Sequence, residues 1–186
     1  DGLLYVMTRY GVSVINEEEN TQSHQWLPQG VELHDGFLAR SDVTPYALVM
    51  GTSVGFAVAP LQANGELGAL ETWDWSMTEP LHAVAPLAGP DVNQHVIGLG
   101  LAGEGAIIEV DSSASIAETH ALGLGVASGL ADANATVTSV AHGLASGTTL
   151  MLFVGTDRGL FVVETASARD EAAGSWRFFF TLESAV

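Results

Sequence analysis

Histidines are the residues most able to do chemistry in this chain. His34 in VELHDG and His82 in PLHAVA occupy similar places in two strand-like runs, and His142 lies in a third, offset by several residues. Imidazoles on neighbouring strands could hold a transition metal. No ligand spacing such as H-E-x-x-H accompanies them, and histidines out of register are more often hydrogen-bonded structural residues. His34, His82 and His142 are therefore the metal candidates that the sequence offers, with no metal specified. Glu17-Glu18-Glu19 could supply oxygen ligands. Calcium loops, however, space their oxygens around a glycine turn that is missing here, which favours a solvated acidic loop.

Other chemistry-bearing patterns fail on context. Gly98-Leu-Gly100-Leu-Ala-Gly103 matches G-x-G-x-x-G, but it precedes a strand-like run rather than a helix, so a dinucleotide reading does not hold. Ser, His and Asp all occur without a G-x-S-x-G elbow. Asp157, in the turn T-D-R-G, most simply stabilises that turn through its side chain. No catalytic residue and no cofactor is expected.

Composition narrows the partners. The 186 residues include 22 acidic ones, no lysine and five arginines, for a formal net charge of −17. Nucleic acid and anionic membrane surfaces are poor partners, because phosphate binding needs a basic footprint. A cationic ligand or basic partner is favoured. Cysteine is absent, which removes disulfides, thiolate zinc sites and cysteine nucleophiles. The sequence leaves the compartment open, with an extracellular or periplasmic home slightly favoured. Val43 to Gly65 and Ala133 to Thr156 carry no charge and are long enough to suggest membrane spans. Their Gly, Thr and Ser interruptions point to buried strands instead, and no membrane insertion is expected.

The elements that must position these residues come from a repeat. Leu150 to Glu164, LMLFVGTDRGLFVVE, reads as strand, turn and strand, with Gly159 closing the turn. LLYVMTRYGVSVI, YALVMGTSVGFAV and HVIGLGLAGEGAIIEV are its other copies. Their closing glycines, Gly11, Gly55, Gly105 and Gly159, are 44, 50 and 54 residues apart. That period, with several strands per unit, predicts an all-β chain folded as a β-propeller. About four blades of four antiparallel strands are expected, at approximately 1–29, 31–77, 79–125 and 134–184.

Residues 1–29 supply three strands of their unit, so the first blade lacks an inner strand. Leu3 to Thr8 is then expected to have an open edge, and the chain to be part of a larger ring. Open edges invite other strands. A protein partner, or the remainder of a longer polypeptide, would complete the ring.

Phe153 to Glu164, FVGTDRGLFVVE, followed by GSWRF, resembles the blades of Asp-box and regulator-type propellers. The Asp-box pattern is Ser-x-Asp-x-Gly-x-Thr-Trp. Ser167-Ala-Arg-Asp170-Glu-Ala-Ala-Gly174-Ser-Trp176 is similar, with two extra residues and Ser175 in place of Thr. The resemblance implies a propeller fold; some such relatives are sialidases or other glycosidases and many are non-catalytic scaffolds. A sialidase set of arginines, tyrosine and carboxylates does not map onto Arg9, Arg40, Arg158, Tyr5, Tyr10 and Tyr46.

The expectation for function is a non-enzymatic scaffold mediating protein–protein interaction. The alternative is a glycan-active hydrolase or lyase with loop carboxylates at the channel mouth. Trp26, Trp73 and Trp176 recur after three of the four hairpins, with His120 and Leu122 in the corresponding place of the third, which favours packing between blades over sugar binding.

Overall fold

A computed structural model describes residues 2–41, 44–87, 94–122, 135–144, 150–165 and 177–181. The chain is all-β. Four antiparallel sheets follow one another along the sequence, each a simple meander. The first contains β1 (Leu3–Thr8), β2 (Gly11–Asn16) and β3 (Thr21–Trp26). The second contains β4 (Leu33–Ser41), β5 (Thr44–Thr52), β6 (Gly55–Pro60) and β7 (Asp74–Met77). The third contains β8 (Ala83–Leu87), β9 (Gln94–Leu99), β10 (Gly105–Val110) and β11 (Ile116–Leu122). The fourth contains β12 (Val137–Leu144), β13 (Leu150–Thr156), β14 (Gly159–Thr165) and β15 (Arg177–Thr181).

The T-x-x-G turns explain why the hairpins form where they do. Thr8, Thr52 and Thr156 each donate a side-chain hydrogen bond to the carbonyl of the glycine three residues on, at 3.0, 2.8 and 2.9 Å. Gly55 and Gly159 have φ of 122° and 131°, which a side chain would strain. The third, longer turn departs from the expected pattern. Its positive φ belongs to Gly103, not to Gly105. Gly105 is needed for closeness instead, since a Cβ there would collide with the Gly98 carbonyl oxygen.

Packing is between sheets, and each core cluster fills one seam. Val12 and Val14 of the first sheet meet Leu48, Met50, Ala57 and Ala59 of the second. Val49, Phe56 and Val58 then meet Val96, Ile108 and Val110 of the third. Ile97, Leu99 and Ile107 meet Leu152, Val154 and Phe161 of the fourth. Alternation along each strand sends successive residues to opposite seams. β4 lies against β8 and β8 against β12, so the first strands of sheets two to four run side by side.

A backbone bond repeats at every seam. The amides of Leu33, Leu81 and Val137, at or just before a sheet's first strand, donate to Arg9, Thr52 and Leu101 of the preceding hairpin turn, at 2.8, 2.9 and 2.9 Å. Carboxylates reinforce the middle seam. Asp35 accepts the amide of Val84, and Asp74 accepts that of Ile116, at 2.9 and 2.8 Å.

Leu70–Thr72 is a single 3-10 turn ahead of β7. Its Thr72 amide returns to Ala69 and that of Trp73 to Leu70, and the Trp73 indole donates to Gly68 at 2.9 Å. Trp73 packs at the first seam as expected, but Trp26 does not: it is 66% exposed, with its ring edge-on to His24. Trp26 shares a face with His24 and Val6 that no described sheet covers. Trp176 and the Asp-box-like stretch lie outside the described residues, as do Gly123 to Asn134. No helix among the described residues is long and apolar enough to cross a membrane.

Candidate functional site

Two places gather functional groups, and both involve the first sheet. One is a cleft of ≈ 650 Å³ lined by Met7, Thr8, Arg9, Glu32, Leu33, His34, Asp35 and His82. The seam bond from Leu33 to Arg9 brings its two walls together. Arg9 donates through one nitrogen to both oxygens of Glu32, at 2.6 and 2.7 Å. The bonded guanidinium holds the Glu32 carboxyl below the usual carboxylate range.

His34 and His82 do come together. Their rings stack with centroids 4.0 Å apart and planes 12° from parallel. His34 Nδ1 lies 2.9 Å from the Leu81 carbonyl, the geometry of a ring N–H donating to it. Nε2 then faces Glu32 at 3.9 Å. Stacked rings aim their in-plane lone pairs along parallel lines, so the pair does not converge on one ion at bonding distance. His142 lies elsewhere. It meets the Pro86 backbone, four residues along from His82, or roughly 13 Å of extended chain. Among the described residues, no three His, Cys, Asp or Glu side chains form a metal-holding group. Burial lowers the pKa of both His82 and His142 below the ordinary histidine value, with His34 adding to the effect at His82.

The cleft's carboxylates are already engaged. Asp35 accepts the amides of Gly36 and Val84, and Glu32 accepts Arg9. Asp157 also serves structure. Its carboxylate accepts the Thr136 amide at 2.7 Å, while its own amide donates back to the Thr136 carbonyl. Ser53 makes the same reciprocal pair with Glu32. Arg9 holds the matching position of the first turn, a correspondence visible in T-R-Y-G, T-S-V-G and T-D-R-G. Glu17, Glu18 and Glu19 form an exposed turn in which Asn16 accepts the amides of Glu18 and Glu19. Their carboxylates reach solvent.

The second place is the edge and outer face of the first sheet. β1 pairs only with β2 among the described residues. Thr8 faces Gly11 across the two-residue turn, and Glu17 donates to Gly2. Leu4, Val6 and Thr8 therefore bond to β2, while the N–H and C=O groups of Leu3, Tyr5 and Met7 point to the open edge. Their counterparts in β5 are Ala47, Val49 and Gly51, which pair with Ala39, Phe37 and Asp35 of β4.

The side chains of β1 divide between two faces. Leu3 and Tyr5 turn toward the second sheet. Leu4 and Val6 turn away from it and are 50% and 37% exposed. Their counterparts Leu48 and Met50 are wholly buried against the first sheet. His24 completes the uncovered face, its Nδ1 paired with Ser13 at 2.7 Å and its Nε2 buried without a partner.

No family model matches the chain, and no curated protein is a detectable relative. A solved structure is similar in fold: a protein of unknown function from Bacteroides caccae, with a TM-score of 0.53 and 14% identity. The likeness covers 97% of this chain and 57% of that one, so this chain spans little more than half of its neighbour's length.

Proposed function

We propose that this chain is a run of β-propeller blades that serves as a non-enzymatic scaffold, taking up at its first sheet a strand from a protein partner or from the remainder of a longer polypeptide. The single observation that carries the reading is the open edge and uncovered face of β1, where Leu4 and Val6 are exposed while the matching Leu48 and Met50 are sealed. An apolar strand edge of this kind recruits another strand. The propeller arrangement is supported by the side-by-side first strands of sheets two to four and by the seam bond repeated at each junction. Engagement of Glu32, Asp35 and Asp157 in structural bonds favours a scaffold over hydrolysis. The test is amide hydrogen exchange of the chain alone and in its native assembly. Leu3, Tyr5 and Met7 should slow in the assembly. Unchanged exchange at these three amides would overturn the reading.

A further inference from the structure

We infer that Asn64 is a self-modification site. Its side-chain amide converts to aspartate or isoaspartate by attack of the Gly65 nitrogen. The rate is set by opening of the turn that Tyr5 holds shut, and the change releases that hold.

The chemistry needs an exposed asparagine followed by a residue whose nitrogen is unhindered. Of the five asparagines, Asn16, Asn20, Asn64, Asn93 and Asn134, only Asn64 precedes glycine, which has no Cβ to shield its nitrogen. Asn64 is exposed. In the reaction the Gly65 nitrogen bonds to the Asn64 side-chain carbonyl carbon. The bond from that carbon to the amide nitrogen breaks, and ammonia leaves with the proton that Gly65 gave up. Water then opens one of the two C–N bonds of the cyclic imide. One opening leaves an ordinary aspartate. The other leaves isoaspartate, with the main chain running through the former side chain and longer by one carbon.

The folded turn keeps the reacting groups engaged elsewhere. The Gly65 amide donates to the Gln62 carbonyl at 2.8 Å. Asn64 Oδ1 accepts the Glu66 amide and Asn64 Nδ2 donates to Glu66 Oε2, each at 3.1 Å. Gly65 has φ of 80°, and its carbonyl accepts the Tyr5 hydroxyl. Reaction therefore waits on local opening, and its rate follows the opened fraction.

The product does not fit the place that Asn64 leaves. A carboxylate at position 64 lacks the donor that met Glu66 and sets two negative charges side by side. The turn also packs on the first sheet without slack. A Cβ on Gly65 would collide with Leu3 and lie 3.2 Å from the Tyr5 hydroxyl oxygen. An extra main-chain carbon here displaces the Gly65 carbonyl from Tyr5. The modification thus loosens the first sheet from the second, in one direction only.

The experiment incubates the whole chain in mildly alkaline buffer, folded and in urea. Peptide mass spectrometry that separates aspartate from isoaspartate follows each asparagine. Asn64 should convert first of the five, and more slowly in the folded chain than in urea. Tyr5→Phe should speed conversion of the folded chain by about two- to ten-fold, as loss of one such bond allows, and leave the rate in urea unchanged. The isoaspartate form, isolated by ion exchange, should melt below the unmodified chain. Asn64 intact after other asparagines have converted would overturn the site. Equal rates in the folded chain and in urea, or in Tyr5→Phe and the unaltered chain, would overturn control by the turn. An isoaspartate form that melts with the unmodified chain would overturn release of the Tyr5 hold.

Discussion

The Tyr5 hydroxyl donates to the Gly65 carbonyl at 2.5 Å, joining the first sheet to the loop between β6 and β7 of the second. Gly65 has φ of 80°, so the Asn64-Gly65 turn presents that carbonyl in a conformation that favours glycine. Burial raises the Tyr5 pKa above the ordinary tyrosine value. Tyr5→Phe keeps the ring but leaves the carbonyl without this donor. It should cost about 0.5–1.5 kcal/mol, read as a lower denaturation midpoint with an unchanged slope. An unchanged midpoint would mean the bond contributes nothing to the seam.

Gly98 is set by its neighbour. A Cβ there would lie 2.6 Å from Phe56 Cζ and 2.7 Å from Leu81 Cδ1, both fully buried side chains. Gly98→Ala should destabilise by about 1–3 kcal/mol through overpacking. Adding Phe56→Leu should recover part of the loss. Additive effects in the double variant would contradict direct contact across the second seam.

The two outer tryptophans should separate cleanly. Trp73→Ala removes a buried indole and its bond to Gly68, and should cost about 3–5 kcal/mol. Trp26→Ala should leave the melting temperature of the isolated chain nearly unchanged, because its ring is exposed. Equal losses would mean that Trp26 is covered in solution.

Acid should loosen the histidine positions. Burial lowers the folded-state pKa of His82 and His142, so the unfolded chain takes up protons more readily than the folded one. Stability from these groups is therefore complete above about pH 6.5, the ordinary histidine value. It falls as pH drops through that value, until the lowered folded pKa is passed. Thermal unfolding between pH 7 and pH 5 should show the decline, and the paired variant His82→Asn, His142→Asn should flatten it. A decline of equal steepness in that variant would assign the effect to other groups.

The repeat was legible because each hairpin has its own local chemistry. LMLFVGTDRGLFVVE marks β13 and β14 through two apolar runs and a T-x-x-G turn. The three-stranded first sheet was legible for the same reason: only three strand-like runs precede Leu27. What pairs across seams was not. His34 stacks on His82 through packing of the second sheet on the third, and no spacing along one strand encodes that approach. The Arg9–Glu32 pair likewise joins residues of different sheets. One usable signal was the shared turn position of Arg9, Ser53 and Asp157, where a donor side chain replaces two acceptors. Trp26 was misjudged because its repeat position promises a packing partner, whereas the face it shares with Leu4 and Val6 has no described sheet against it.

The open edge of β1 is the claim on which the rest depends, and amide hydrogen exchange of the isolated, monomeric chain tests it most directly. Leu3, Tyr5 and Met7 should exchange within the time typical of solvent-facing edge amides, while Ala47, Val49 and Gly51 of β5 remain protected by β4. Equal, slow exchange in both sets, in a chain shown by its mass to be monomeric, would mean that β1 is already paired and would contradict the account.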